Sequence, residues 1–263
     1  MSELQAIWLG FVQGLTEFLP VSSSGHLVMA QELLGGRLQS GLVFEVALHV
    51  ATLFAIVIFY RSRIGVLVVQ ALRFEAGAWR YIGKLVVATL PAVVVGLGLK
   101  DLIEGQFQTP AVSGVCLLLT GVILWTTRYT IPRAHLDEPG WLAAFLIGCA
   151  QAFAILPGIS RSGTTVTVAL ALGVRAEKAA EFSFLMGIIA ISGAAVLMLP
   201  DIESMPHELL PAIGLGGLAA LISGVAAIWL FIRLLRRQSF HVFSFYTWGV
   251  GVLFLLWLSL RAA

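Results

Sequence analysis

Six long apolar stretches dominate the chain and give the first prediction about its fold. They lie at approximately 41–60, 81–99, 111–127, 179–199, 209–235 and 243–260. A helix needs about 20 mostly apolar residues to cross the hydrocarbon layer of a membrane, and each stretch approaches or exceeds that length. Most of them are rich in Gly and Ala, which let helices approach each other closely in lipid. The pattern therefore predicts six transmembrane helices.

Two further apolar regions, at about 5–35 and 141–173, do not fit as single spans because a polar turn interrupts each of them. The first turn reads LPVSSSGH at 19–26, and the second reads LPGISRSGTT at 156–165. The arms on either side hold roughly 10 to 16 residues, which is too short to span a membrane alone. Irregular backbone at membrane depth is tolerated only where protein or water satisfies its polar groups. We therefore predict two re-entrant helical hairpins whose turns line a cavity.

The two hairpin regions also resemble each other. A shift of 138 residues superposes identical residues, namely Gly10 on Gly148, Gln13 on Gln151, Ser22 on Ser160, Ser24 on Ser162, Gly25 on Gly163 and Phe44 on Phe182. This self-similarity indicates an internal duplication with one hairpin and three spans in each half. Because three spans is an odd number, the second half is expected to insert upside down relative to the first. We predict a single membrane domain over 1–263, an inverted-topology repeat of 1–138 and 139–263.

The composition excludes a soluble protein and indicates membrane lipids as the surroundings of the chain. Of the 263 residues, 59% are hydrophobic and only 11% are charged, whereas soluble domains carry roughly 25% charged residues. The net charge of +2, without a basic run, gives no reason to expect nucleic acid as a partner. The two cysteines, Cys116 and Cys149, stand in apolar stretches without metal-binding or redox spacing, so we predict small core residues.

The charges between the spans predict the orientation of the protein. If the side of the membrane that holds the N-terminus is called side A, successive loops alternate between side A and the opposite side B. Side B then receives eleven basic residues, Arg61, Arg63, Arg73, Arg80, Arg128, Arg133, Arg175, Lys178, Arg233, Arg236 and Arg237. Side A receives Arg37, Lys100 and Arg261, beside acidic runs at 101–104 and 201–204. The positive-inside rule then places side B in the cytoplasm and both termini outside. The two hairpins would enter from opposite sides, with their turns meeting near the midplane.

The turns and the arm before the first one carry polar side chains that an apolar chain would otherwise avoid, and such residues are functional candidates in a membrane. They are Gln13, Glu17, Ser22, Ser23, Ser24, Gly25 and His26 in the first region, and Ser160, Arg161, Ser162, Gly163, Thr164 and Thr165 in the second. Helix N-termini, glycines and the fork of an arginine all suit a phosphate group. Glu17 and His26 add a base or orienting group and a nucleophile or proton relay. The sequence therefore predicts a phosphate site between the turns.

Each candidate also has a plainer interpretation. The SSSG run could simply cap a half-helix, and Arg161 could be a structural anchor that pairs with Glu17. Their joint presence in two matching turns favours a site. For the other ionisable residues the plainer interpretation is preferred. We expect His49 to pack or to bond to backbone, and Glu45 and Glu181 to remain hydrated. We expect Lys84 to extend to the membrane interface, and His135, His207 and His241 to be solvated.

The motifs QGLTE at 13–17, FLPVSSSGH at 18–26 and PGISRSGTT at 157–165 resemble the two signature regions of undecaprenyl-diphosphate phosphatases of the bacitracin-resistance type. Chain length, motif order and motif separation agree over nearly the whole chain. The resemblance implies hydrolysis of undecaprenyl diphosphate to the monophosphate and inorganic phosphate, which recycles the lipid carrier of cell-wall synthesis. It also implies a polyprenyl diphosphate lipid as substrate, the bacterial cytoplasmic (inner) membrane as location, and an active site open to the outer side.

The same resemblance gives a hypothesis for catalysis. Arg161, with the hydroxyls and backbone N–H groups of both turns, is predicted to hold the diphosphate and stabilise the transferring phosphoryl group. The predicted nucleophile is either His26 or Ser23 activated by His26, with Glu17 orienting or deprotonating His26. The family allows Glu or Gln at the position of Gln13, and because Gln cannot act as a base, that role moves to Glu17.

The cofactor and partner predictions follow from the same residues. The resemblance implies dependence on a divalent cation, Mg²⁺ or Ca²⁺. Because the sequence shows no complete cage of hard ligands, we expect the substrate to help hold the cation, with Glu17 as the candidate protein ligand. No organic cofactor is expected, and a homodimer is left open. The rival hypothesis is a transporter or flippase of polyprenyl phosphate lipids, since inverted repeats with midplane hairpins are also transporter architecture. The His26–Glu17 pair favours an enzyme, because capture of an anion does not require it.

Overall fold

The computed structural model describes residues 2–33, 42–197 and 209–262. The first half contains α1 (Glu3–Phe18), α2 (Ser23–Leu33), α3 (Leu42–Phe59), α4 (Arg61–Leu72), α5 (Ala76–Gly98), α6 (Lys100–Phe107), α7 (Pro110–Trp125) and α8 (Thr127–Thr130). The second half contains α9 (Trp141–Phe153), α10 (Arg161–Ala171), α11 (Ala176–Leu197), α12 (Leu210–Arg236) and α13 (Phe243–Ala262). Short 3₁₀ turns occupy Ile131–Arg133 and Phe240–Val242. The described ranges hold no β-strand, and the predicted all-α class is confirmed.

Five of the described helices are long and apolar enough to cross a membrane by themselves: α5, α7 with its continuation to Arg133, α11, α12 and α13. A sixth span results if α3 and α4, which are bent by 78° at their break, are counted as one. The five helices and α3 coincide closely with the six predicted stretches, although residue 41 of the first stretch and residues 198–199 of the fourth lie outside the described residues. The chain is therefore an all-α polytopic membrane protein.

Both interrupted regions form the predicted pairs of short helices. Helices α1 and α2 hold 16 and 11 residues, and α9 and α10 hold 13 and 11. Helix α10 begins and ends 138 residues after α2, which is the shift that the sequence predicts. Residues 34–35, at the end of the first predicted hairpin, lie outside the described residues. The re-entrant path of the hairpins and the inverted insertion of 1–138 and 139–263 stay predictions.

Glycines bring the first arm of each hairpin close to a long helix. Helix α1 packs along α12, where Gly10 meets the backbone of Gly216, and α9 packs along α5, where Gly148 meets the backbone of Ala88. Helix α13 packs against α7 in the same chain. Because a side chain at these glycines would collide with backbone, the small residues allow the helices to pack closely. This packing holds both interrupted regions inside the helix bundle.

The sequence does not predict helix α4, which lies where a loop was expected. Its exposed side chains include Val66, Val68 and Leu72, and its basic residues are those of an amphipathic helix at a membrane interface. From α4, Arg63 Nε donates to Glu181 Oε1 at 2.7 Å, and Lys178 Nζ donates to Glu181 Oε2 at 3.0 Å. Glu181 is buried. The prediction that Glu181 remains hydrated is therefore wrong, because α4 brings the guanidinium of Arg63 to it.

Other predictions outside the turns have mixed outcomes. Lys84 is buried and donates to Glu138 Oε1 at 2.9 Å, so it does not extend freely to the interface. Both cysteines are free thiols, with Cys116 buried as predicted and Cys149 exposed contrary to prediction. His135 is exposed as predicted, whereas the ring of His241 is half-buried edge-on to Trp125. Arg37, the run 201–204, His207 and the Glu45 side chain lie outside the described residues.

Candidate active site

The two interrupted turns meet inside the protein, as the sequence predicts. Gly25 of the first turn packs against the backbone of Gly158 in the second, and Ser162 Oγ donates to the carbonyl of Phe18 at 2.9 Å. A cavity of about 450 Å³ opens beside this junction. One part of its wall is polar and carries Glu17, Ser22, Ser23, Ser24, Ser160 and Arg161. The rest is apolar and includes Val46, Val50, Phe107, Ile155 and Ile191.

The first turn is held by local hydrogen bonds that place Ser23 at the start of α2. Ser22, directly before α2, has a positive φ of 65°, which turns the chain into that helix. Its Oγ accepts from the backbone N–H of Gly25 at 3.3 Å. Its carbonyl lies 2.8 Å from His26 Nδ1, so that the imidazole donates from Nδ1. The turn therefore presents the Ser23 side chain to the cavity in a fixed position.

The Glu17 carboxylate is the centre of the polar wall. Its Oε1 accepts from Arg161 Nη2 at 2.8 Å. Its Oε2 accepts from Ser23 Oγ at 2.9 Å and from Gln13 Nε2 at 3.1 Å. The side chain is only 8% exposed, so these donors replace the water that an ionised carboxylate would otherwise need. This arrangement keeps Glu17 ionised and directs a carboxylate oxygen at the Ser23 hydroxyl, where it can accept the proton.

Arg161 begins α10 and reaches Glu17 across the junction of the turns. Ser160 caps that helix, because its Oγ accepts from the backbone N–H of Gly163 at 3.2 Å. The preceding backbone is fixed by Thr120 of α7, whose Oγ1 donates to the carbonyl of Gly158 at 2.8 Å. The structure thus contains the ion pair between Arg161 and Glu17 that the plainer interpretation predicts. This contact does not exclude a phosphate role, because Arg161 also lines the cavity.

Several predicted phosphate-binding residues hold the turns and do not line the cavity. Ser162 bonds to the first turn, and Gly163 packs against the Pro20 ring. Thr165 Oγ1 donates to the carbonyl of Arg161 at 2.8 Å and lies 2.6 Å from Ser183 Oγ. Thr164 is buried, and no partner for its hydroxyl is found among the described residues. Ser22, Ser24 and Ser160 remain on the cavity wall, while Gly25 supports the junction.

The predicted contact between Glu17 and His26 is wrong for the described structure. Besides its bond to Ser22, His26 has its Nε2 2.8 Å from the hydroxyl of Tyr246, and the two rings stack at 5.7 Å. Both ring nitrogens are therefore engaged away from the cavity, and a local turn bond outcompetes the contact with Glu17. The role of His26 as a nucleophile stays a prediction, but the hydroxyl beside the carboxylate is that of Ser23.

Sequence reasoning missed His49, which α3 brings into the site. Its Nε2 lies 3.2 Å from Gln13 Nε2 and 3.6 Å from Glu17 Oε2, and its ring lines the cavity. The expectation that His49 packs or bonds to backbone did not include this contact with Gln13 and Glu17. The available signal was an ionisable residue in the middle of an apolar stretch, which is costly in a membrane without a function. No pattern in the sequence identifies Glu17 as its neighbour, because the two residues lie on different helices.

The described residues include no group of three or more His, Cys, Asp or Glu side chains arranged to hold a metal ion. Glu17 and His49 are the nearest to such a group on the cavity wall. Hard divalent cations take six or more oxygen ligands, so these two side chains could hold such an ion only together with further oxygens, from water or from a substrate.

Comparison with known proteins gives a consistent result. The model of the family described as bacitracin resistance protein BacA matches residues 6–253. The chain is 40% identical to an undecaprenyl-diphosphatase of Carboxydothermus hydrogenoformans, with 97% of each chain covered. It is 39% identical to that of Syntrophotalea carbinolica, with 97% of this chain and 98% of the relative covered. It is also 39% identical to that of Methanobrevibacter smithii, with 96% of each covered. The chain belongs to the BacA family.

Proposed function

We propose that this protein is an integral membrane phosphatase that hydrolyses undecaprenyl diphosphate to undecaprenyl phosphate and inorganic phosphate. The relatives carry the name of this activity. The observation that carries the proposal is the contact of the Ser23 hydroxyl with the Glu17 carboxylate, which Arg161 holds from its other oxygen. The reaction would recycle the lipid carrier of cell-wall synthesis.

In the first step Ser23 Oγ attacks the terminal phosphorus of the diphosphate. The Oγ–P bond forms, the P–O bond to undecaprenyl phosphate breaks, and the hydroxyl proton passes to Glu17. Arg161 stabilises the negative charge on the transferring phosphoryl oxygens, with hydroxyls of both turns beside it. A divalent cation, Mg²⁺ or Ca²⁺, would neutralise phosphate charge if the diphosphate carried one into the site.

In the second step water attacks the phosphorus of the phosphoserine. The bond from the water oxygen to phosphorus forms, the Oγ–P bond breaks, and Ser23 recovers its proton from Glu17. The proton of the water stays with the inorganic phosphate or passes to the medium. Glu17 thus acts as base in the first step and as acid in the second, and the enzyme returns to its starting state.

The apolar part of the cavity wall supports a lipid substrate. Phe107, Ile155 and Ile191 line the same cavity as Ser23 and Arg161. A prenyl chain packed there would bury apolar surface while its diphosphate faced the polar wall. We further propose that the protein lies in the cytoplasmic (inner) membrane with both termini outward and the cavity open to the outer side.

The nucleophile can be identified by trapping. Purified protein in detergent would be mixed with undecaprenyl diphosphate labelled at the terminal phosphate and quenched within milliseconds. We expect label on Ser23 as an acid-stable phosphoserine, and label on His26 as an acid-labile phosphohistidine would overturn the assignment of Ser23. The Ser23→Ala variant should release phosphate at less than about a thousandth of the parent rate. The control is Ser259→Ala, since Ser259 is exposed and bonds only to its own helix.

Transport of polyprenyl phosphates without hydrolysis is the alternative, and the same sample tests it. Movement of an anion across a membrane does not require a hydroxyl placed against a carboxylate, whereas hydrolysis through a serine nucleophile uses one. Release of inorganic phosphate by the purified protein supports the phosphatase. Absence of release, together with flux of the lipid in vesicles, would replace the phosphatase with a transporter.

A further inference from the structure

His49 lies in the site although no motif includes it. It stands on α3 with its side chain 42% exposed, and its ring lines the cavity. Gln13 Nε2 lies at 3.2 Å and Glu17 Oε2 at 3.6 Å from His49 Nε2. The second of these distances is beyond that of a hydrogen bond. Of these two groups, the Gln13 amide is therefore the one within hydrogen-bonding distance of His49 Nε2.

The chemistry of the Gln13 amide fixes the direction of these bonds. The amide nitrogen carries two hydrogens, and one of them points to Glu17 Oε2 at 3.1 Å. The other can be accepted by His49 Nε2 if the imidazole is neutral and carries its proton on Nδ1. Turning the amide over would place its oxygen against the carboxylate, where two acceptors would repel each other. The amide orientation and the histidine tautomer therefore determine each other.

The consequence concerns the oxygen that receives the Ser23 proton. Glu17 Oε2 accepts from both Ser23 Oγ and Gln13 Nε2. The Gln13 amide can swing about its own side chain unless its second hydrogen is also held. His49 holds that hydrogen from a different helix and so ties α1 to α3 at the site. A carboxylate that is fixed from two sides stays aligned with the hydroxyl that it must deprotonate.

We propose that His49 is a positioning residue of the proposed phosphatase reaction, and that its neutral imidazole holds the Gln13 amide and, through it, the Glu17 carboxylate. This inference rests on the phosphatase activity proposed above. It gives Gln13 a role that does not require a base. It also explains why an imidazole stands in an apolar helix at the level of the carboxylate.

The test distinguishes three contributions of the His49 side chain: accepting a hydrogen bond, filling space and transferring a proton. His49→Gln keeps an acceptor, because the carboxamide oxygen can take the place of Nε2, but it cannot titrate. His49→Leu keeps bulk and removes the acceptor. Steady-state release of phosphate from undecaprenyl diphosphate would be measured for both variants, with His135→Leu as control because His135 is exposed and bonds to a nearby backbone carbonyl.

We expect His49→Leu to lower kcat by about tenfold to a hundredfold, the range for a lost hydrogen bond in a charged network, with KM nearly unchanged. His49→Gln should stay within about threefold of the parent. The Gln13→Leu variant should lose about as much as His49→Leu. Adding His49→Leu to Gln13→Leu should cost less than about twofold more, since coupled residues are not additive.

Three outcomes would overturn the inference. One is parental kcat in His49→Leu. Another is an equal loss of kcat in His49→Gln and His49→Leu. That result would show that the rate depends on protonation or on the shape of the imidazole, and not on its acceptance of a hydrogen bond. The third is full additivity of His49→Leu and Gln13→Leu, which would separate His49 from the Gln13 amide. If instead the parent protein releases no phosphate, the proposed function itself fails, and the two failures are distinguishable.

Discussion

At the scale of single residues, the position of Arg161 depends on a glycine that contributes no side chain. Gly187 of α11 lies beside the guanidinium, and a Cβ at that glycine would stand 2.6 Å from Arg161 Nη1. The arginine can reach Glu17 because this space is open. His49 and Gly187 lie 138 residues apart, the shift of the predicted duplication. In the first half this position is His49, whose side chain lies beside Glu17. In the second half it is Gly187, which leaves space for Arg161.

The Gly187→Ala variant should therefore lose activity without losing its fold. The added methyl would push the guanidinium from its present position, and a displacement of about 1 Å at a reacting group can cost roughly a hundredfold in rate. Because the colliding atoms belong to the end of a flexible side chain, the midpoint of thermal unfolding in detergent should change little. The matched control is Gly193→Ala on the same helix, since nothing lies within 4 Å of a Cβ at Gly193. Equal kcat in the two variants would contradict the role of Gly187.

At the scale of elements, the site depends on the close packing of α1 against α12. Helix α1 carries both Gln13 and Glu17. On the face toward α12, a Cβ at Gly14 would collide with Ser223 Oγ and with the carbonyl of Ala220. In lipid, helices associate through such close packing because apolar surface gains little from leaving a similarly apolar solvent. The glycines of α1 thus determine both the stability of the hairpin and the depth of its carboxylate.

The Gly14→Ala variant should be less stable as well as less active. Overpacking a filled contact costs about 1–3 kcal/mol, so the midpoint of thermal unfolding in detergent should fall. The rate of phosphate release should fall too, because α1 must move away from α12 and take Glu17 with it. Gly214→Ala on α12 serves as control, since a Cβ there has open space. An unchanged midpoint in Gly14→Ala would show that the contact is not filled.

At the scale of the whole molecule, the orientation is predicted from charge alone. The basic residues of α4 and the following turn fall on side B, and the acidic residues of α6 fall on side A. Helix α5 connects these two regions and is long enough to cross a membrane. The proposed outward opening of the cavity depends on this orientation. Sidedness is therefore the decisive measurement at this scale.

Cysteine labelling should give opposite results at the two ends of α5. In a Cys149→Ala background, Glu104→Cys should react with a membrane-impermeant maleimide in intact cells, because Glu104 lies on the predicted outer side. Arg73→Cys should react only after the cells are permeabilised. Both side chains are exposed, and the Cys149→Ala background by itself should stay unlabelled because its remaining cysteine, Cys116, is buried. Reaction of Arg73→Cys alone in intact cells would invert the orientation, and equal reaction of both would remove α5 as a span.

The sequence by itself determined the membrane class, the six long helices and the two interrupted hairpins. These features depend on the length of apolar runs and on turn residues close together in the chain, so the local sequence is sufficient to predict them. It also identified Glu17, Ser23 and Arg161, because polar residues in an apolar chain are conspicuous. It did not predict α4, whose mixed apolar and basic residues resemble a loop near a membrane surface.

Only the tertiary structure decided which of these residues touch. Glu17 meets Arg161 from 144 residues away and lies beside His49 of α3, while His26 turns to Ser22 and to Tyr246, which is 220 residues away. Such partners are set by how helices pack, and helix packing depends on contacts such as that of Gly10 with Gly216 between distant parts of the chain. The physical reason is that a buried carboxylate must take its donors from whatever helices surround it, and no local pattern specifies those helices.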